Sequence, residues 1–192
     1  MKVNEYFDRV VVINLDRRPD RMEILGPQLD ELEIQYERFS AIDGKERGIS
    51  PVLAGKLSHV EVLEGQNGQK VLILEDDAHF VDGFNEKFSR VIETLPYNWD
   101  IFYLGVLLGP TGKLKRFNNH WHKQIVSTGT QAYCVNPNKV DFFIEKQLEW
   151  DGFVDVGYRL LATETNAYVT QPNLVTQFPS YSDLREREVD DF

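Results

Sequence analysis

The chain has 192 residues, 42% hydrophobic and 12% aromatic, a composition that supports one globular core and excludes a disordered or fibrous polymer. A formal net charge of −10 excludes the basic face expected of a nucleic-acid protein. The single cysteine, Cys134, rules out an internal disulfide, and no apolar run approaches the roughly 18 residues of a membrane-spanning helix.

Residues 1–8 are charged and lack the apolar centre of a secretory signal, so a cytoplasmic location is the expectation. Val10-Val11-Val12-Ile13-Asn14-Leu15 is a continuous apolar run, as in a strand buried on both faces of a parallel sheet. Asp16-Arg17-Arg18-Pro19 closes it, with Pro19 suited to the first turn of a helix. Met22, Leu25, Leu29, Leu32 and Ile34 continue at helical spacing, and Gly26-Pro27 is expected to kink or interrupt that helix. Residues 36–40 read as a second strand ending in the turn Asp43-Gly44, and residues 51–64 as a helix. Residues 70–74 form a third apolar strand that runs into Glu75-Asp76-Asp77.

A helix over residues 84–95 and a strand over 100–105 complete the regular half. Residues 109–124 suit a long loop or hairpin, where Trp121 is a candidate contact for an acceptor sugar or simply part of an exposed loop. Strands over 130–135 and 167–170, helices over 138–147 and 155–162, and a charged segment from 182 follow. Cys134, inside a strand, reads as a buried inert thiol. Alternating strands and helices indicate an α/β domain with a mainly parallel, Rossmann-like sheet flanked by helices. In such sheets ligands bind beyond the carboxyl ends of strands, where Asp16-Arg17-Arg18 and Glu75-Asp76-Asp77 both lie.

Three consecutive carboxylates at the end of a buried strand repel one another, and desolvation compounds the cost. A hard divalent cation compensates such a cluster, and Mg²⁺ or Mn²⁺ keeps positions open for substrate phosphates. Strand alternation puts Glu75 and Asp77 on one side and Asp76 on the other. A solvated turn or a helix cap is the competing reading. The run 70–77 also resembles the opening of a response-regulator receiver domain, but that family begins with this strand and needs an aspartate some 40 residues on. Residues 117–121 read Phe-Asn-Asn-His-Trp, so that match fails.

Val12-Ile13-Asn14-Leu15-Asp16-Arg17-Arg18-Pro19-Asp20-Arg21 resembles the opening motif of glycosyltransferase family 25, which includes bacterial lipopolysaccharide glycosyltransferases and collagen hydroxylysine galactosyltransferases. Further matches follow in family order: Phe39 to Gly44, Leu57-Ser58-His59, Leu72 to Asp77, Tyr103-Leu104-Gly105, Thr128 to Tyr133, the aspartate of Phe153-Val154-Asp155, Pro172 to Gln177, and Ser182-Asp183. The resemblance implies a GT-A-like single domain over residues 1–183, with a nucleotide-binding half at about 1–105 and an acceptor half at about 106–183. A charged tail, 184–192, completes the chain. It implies a UDP-sugar donor with galactose or glucose favoured, a saccharide or hydroxyl acceptor, Mn²⁺ or Mg²⁺, and inversion at the anomeric carbon. The acidic triplet Glu75, Asp76 and Asp77 would hold the metal as the family's Asp-x-Asp equivalent.

Inverting transfer needs charge neutralisation at the leaving diphosphate and a base opposite it. Asp155, with Asp151 second, is the candidate base among apolar neighbours, and the alternative for Asp155 is a helix cap. Arg17, Arg18 and Arg21 are candidate diphosphate partners, with a helix-surface ion pair the alternative for Arg21. Asn14 and Asp43 are candidate base or ribose contacts, and Ser58 and His59 candidate donor contacts on the resemblance. Gln177, Ser182 and Asp183 are candidate elements of a flap over the donor. The sequence is silent on oligomeric state.

Overall fold

The computed structural model describes residues 1–182 and 187–189. In chain order its elements are α1 (Val3–Tyr6), β1 (Arg9–Asn14), α2 (Pro19–Glu31), β2 (Glu37–Ser40), α3 (Gly44–Arg47), α4 (Pro51–Glu64), β3 (Val71–Glu75), β4 (Ala78–Phe80) and α5 (Phe84–Ile92). The second half supplies β5 (Ile101–Tyr103), β6 (Lys113–Arg116), β7 (Trp121–Val126), β8 (Ala132–Val135), α6 (Val140–Glu149), α7 (Val154–Leu161), β9 (Ala167–Thr170) and β10 (Val175–Gln177). Backbone strands β11 (Ser180–Ser182) and β12 (Arg187–Val189) follow.

Eight strands form one sheet in the order β2-β1-β3-β8-β5-β9-β7-β6. Strands β2, β1, β3, β5, β9 and β6 run one way, and β8 and β7 run against them. The sheet is therefore mixed, with most strands in one direction. The reversal of β8 brings its first residues beside the end of β3, so residues 130–131 and 75 become neighbours across the sheet.

Alternation along the strands builds two cores. Val10, Val12, Leu72, Leu74, Phe102 and Cys134 pack under α2 and α5, against Leu25, Leu29, Phe84 and Phe88. Val11, Ile13, Ile73, Tyr103, Tyr133 and Val135 face α4, α6 and α7, against Leu63, Phe143 and Tyr158. Each such buried aliphatic or aromatic side chain contributes about 1.5–3 kcal/mol in transfer free energy. Burial of Cys134 pushes its thiol pKa upwards, which makes it a packing residue.

Several expectations change. Helix α2 runs on through Pro27 without interruption, because Pro27 and Glu23 both lie on the solvent side, where water satisfies the carbonyl that the proline leaves unbonded. Two short helices, α1 and α3, and the antiparallel pair β4–β10 were not legible as periodic segments. Trp121 is neither loop nor sugar contact: it is fully buried, and its indole N–H donates to the Val91 carbonyl at 3.0 Å. Part of the expected charged tail pairs as a two-stranded ribbon, β11 with β12.

Candidate active site

The crowded acids sit where β3 leaves the sheet, at the wall of a cavity of about 140 Å³. Its floor is the first half of α4, which is capped by Ser50 and presents Pro51, Ala54 and Gly55. Small residues there leave room for a flat ligand. The exits of β1 and β2 supply Arg17, Arg21, Asp43 and Lys45.

The three carboxylates have different surroundings. Glu75 Oε1 accepts from Thr130 Oγ1 at 2.5 Å and lies 3.3 Å from His59 Nε2. Burial opposes ionisation of Glu75, but hydrogen bonding and charge from His59, with Thr130, outweigh it and hold its pKa below the usual range. His59 is oriented in turn by Tyr133, whose hydroxyl lies 2.9 Å from Nδ1, and Tyr158 continues the chain at 3.4 Å. Asp77 is pushed up to about 7, by burial first and by the Glu75 charge second. One nitrogen touches both acids: Gln177 Nε2 donates to Glu75 Oε2 at 3.4 Å and to Asp77 Oδ1 at 3.2 Å. Glu75 and Asp77 thus share a side, as strand alternation requires.

Asp76 also borders the cavity, but its carboxylate is engaged by β1 and α2. Asn14 Nδ2 donates to its Oδ2 at 2.7 Å, and Arg21 Nη1 donates to its Oδ1. Burial raises its pKa, with Arg21 and Asn14 offsetting part of the rise. One bond on each oxygen fastens β1 and α2 to the end of β3. Among the described residues, no group of three or more His, Cys, Asp or Glu side chains converges as a ready-made metal cluster. A two-carboxylate set still suits Mg²⁺ or Mn²⁺, which bind through one or two carboxylates and complete their shell with water and phosphate oxygens. Glu75 and Asp77, converging on the amide of Gln177, fit that description.

The other expected residues divide into cavity and support. Arg17 lines the cavity and pairs with Asp43 at 2.6 Å, while Asp43 also caps α3 by accepting from Lys45 N at 2.8 Å. Arg21 lines the cavity between Asp76 and Asp77, 3.7 Å from the latter, which replaces the surface helix pair with a buried one. Arg18 pairs with Asp20 at 2.8 Å, outside the cavity lining. Asn14 is buried behind the wall: it donates to Asp76 and to the Arg18 carbonyl and accepts from Arg38 Nε at 2.8 Å. It is not among the residues that line the cavity. Ser58 borders the cavity, but its hydroxyl bridges Ile42 N and the Ala54 carbonyl. His59 borders it directly. Ser182 lies on β11, and Asp183 falls outside the described residues.

Asp155 does not line this cavity. It occupies the first turn of α7, one residue inside the helix start and not at the cap, which is Phe153. Its Oδ2 accepts from Gly129 N at 3.1 Å, one residue before Thr130 and its bond to Glu75. Asp155 and Glu75 therefore flank the two-residue entry to β8. Asp151 is exposed. Thr130, Tyr133 and Lys45 were not singled out from the sequence; the motif from Thr128 to Tyr133 was the available signal, and the reversal of β8 gives it meaning.

No family model matches the chain. It is 35% identical over 157 residues to a protein of Acanthamoeba polyphaga mimivirus named as a glycosyltransferase, covering 70% of this chain and 46% of that one. It is 30% identical over 129 residues to the inactive glycosyltransferase 25 family member 3 of Homo sapiens, covering 52% and 22%. Procollagen galactosyltransferase 2 of Mus musculus matches at 28% over 129 residues, covering 52% and 21%. The chain is similar to members of glycosyltransferase family 25 over about half of its length. The helix–sheet–helix layering, with acids at the exit of the third strand, is the GT-A-like arrangement expected of that family. The chain spans less than half the length of these family relatives.

Proposed function

We propose that this protein is an inverting glycosyltransferase that moves a hexose, galactose or glucose, from a UDP-sugar to a hydroxyl of a saccharide or other acceptor. The observation that carries the reading is the pair Glu75 and Asp77, brought onto one amide nitrogen at the wall of a cavity that also presents Arg17, Arg21 and Lys45. Crowded acids beside cations suit a diphosphate and a divalent metal together. Glu75 and Asp77 would hold Mn²⁺ or Mg²⁺, which when bound supplies Lewis-acid stabilisation of the departing diphosphate. Asp76 holds Arg21 against the same site, and Arg21 and Arg17 orient phosphate oxygens through their planar guanidinium groups.

Asp155 is the proposed base. Its hold on the Gly129 amide fixes the carboxylate at the entry to β8, on the far side of Thr130 from the metal-holding pair. A single displacement needs this separation of charge neutralisation from proton removal. Gln177 closes the acid pair from β10.

A second reading is a binding protein of the same fold without turnover, favoured by the match to a human relative named inactive, at 30% identity. Two measurements separate the readings. Isothermal titration of UDP in Mn²⁺ is expected to give binding that Asp77→Ala abolishes; unchanged affinity in the variant would refute the metal assignment. Donor hydrolysis or transfer across a panel of nucleotide-sugars is expected for the wild type and lost in Asp155→Asn with UDP affinity kept. Asparagine keeps one oxygen for the Gly129 amide and gives up the bond from Val156 N, so a melt of the variant is run beside the titration to show that the fold is kept. Turnover in neither protein would select the binding reading.

A further inference from the structure

Residues 101–140 contain Lys113, Lys115, Arg116, Lys123 and Lys139 and no aspartate or glutamate, in a chain whose net charge is −10. Four of these cations lie on the β6–β7 hairpin at the edge of the sheet, separated from β3 and its acids by β8, β5 and β9. Lys115 and Lys123 are directly opposite one another across the two strands. Like charges in that position repel, and no ion pair reaches Lys113, Lys115, Arg116 or Lys123 among the described residues. Lys113, Lys115 and Arg116 are exposed.

Apolar surface lies beside this charge. Phe117, at the turn of the hairpin, is 56% exposed and packs edge-on against Tyr168 with ring centroids 5.2 Å apart. Asn118 of the same turn donates to the Thr94 carbonyl at 2.9 Å, and the Tyr168 hydroxyl donates to Asn98 at 3.2 Å. The first bond fastens the hairpin, and the second β9, to the loop that carries Tyr97, which is 97% exposed. The result is a cationic ribbon rimmed by two exposed aromatic rings.

We propose that the β6–β7 hairpin, with Phe117 and Tyr97 at its margin, docks this protein on an anionic lipid bilayer. Lysine and arginine near such a surface each raise partitioning about fivefold, and aromatic rings settle at headgroup depth. No helix among the described residues is long and apolar enough to cross a membrane, and attachment through this surface charge is weakened by salt. Lysines on an edge strand also discourage edge-to-edge pairing. That role explains Lys113 and Lys115 but not Lys123, which is half-buried on the inner strand, nor the missing acids.

The test is co-sedimentation of the full chain with vesicles of phosphatidylcholine alone, or with one-third phosphatidylglycerol, at low and high NaCl. Binding to the anionic vesicles only, weakened by salt, is the expected result. K115E/K123E is expected to lower the partition coefficient at least about 25-fold, from two cations at about fivefold each. This double variant keeps a like-charge pair at the same positions, so the cross-strand repulsion and the fold are retained, as circular dichroism melting will register. K115A/K123A serves the same purpose should the glutamates perturb the hairpin. No sedimentation with anionic vesicles, binding untouched by either double variant, or binding to a soluble anionic polysaccharide in place of vesicles would each overturn the proposal.

Discussion

At neutral pH Asp77 stands between its two protonation states, because burial and the Glu75 charge push it up to about 7. Its unfolded value is near the ordinary aspartate range, about 4, so the folded state binds the extra proton. Stability from this group is complete below about pH 4 and is lost as pH rises towards 7. Asp77→Asn removes that loss. The metal-free variant is expected to gain on the wild type through this window and then to hold a constant lead, on the order of a few kcal/mol or less. Metal binding needs the ionised form, so apparent Mn²⁺ affinity is expected to fall about tenfold per pH unit below 7. Calorimetric titration of Mn²⁺ from pH 5.5 to 8, beside thermal melts of both proteins, checks the two signs. A flat affinity profile would show that Asp77 is no ligand.

The elements were mostly legible because their periodicities are strong: β1 and β3 are uninterrupted apolar runs, and α4 and α5 carry clear caps or faces. Strand direction was not, since nothing in residues 130–135 distinguishes a strand that runs against its neighbours from one that runs with them. The site was legible for the same reason and to the same extent. Glu75 and Asp77 follow from a strand end, whereas the amide that joins them comes from Gln177, a hundred residues away on a strand of three. Close backbone approach explains one motif that periodicity could not. A Cβ on Gly105 would sit 1.8 Å from the Val175 carbonyl oxygen, where Val175 N also donates to the Leu104 carbonyl at 3.0 Å. Gly105→Ala therefore has to push β10 away and take Gln177 with it. The expected cost is about 3 kcal/mol, the upper end for overpacking, or roughly 6–12 °C in melting temperature for a chain of this size. Gly109→Ala, with open space around the new methyl, is the control and should melt like the wild type. Equal melts for the two variants would contradict the packing at β10.

Charge on the scale of the whole molecule sets the terms on which a nucleotide approaches. The cavity carries Arg17, Arg21 and Lys45 against Asp43, Glu75, Asp76 and Asp77, one negative charge in excess when all are ionised, inside a chain of net −10. UDP is itself an anion, so without a divalent cation its long-range interaction with the protein is repulsive, and local arginine contacts alone favour it. Salt screens the distant charges over about 8 Å at physiological strength but leaves close, partly buried pairs less affected. Raising NaCl from about 20 to 200 mM is therefore expected to strengthen metal-free UDP binding, weak as it is. With saturating Mn²⁺ the cavity carries one positive charge in excess while the whole chain stays anionic, so local attraction offsets distant repulsion and the same salt increase is expected to help UDP binding less, or to weaken it. Affinity in Mn²⁺ should exceed the metal-free value at least tenfold at low salt, about 1.4 kcal/mol. Titrations of UDP at the two salt concentrations, with Mn²⁺ and with chelator, give four affinities and two salt slopes. Equal salt slopes with and without Mn²⁺ would mean that the cation does not sit between the acids and the diphosphate.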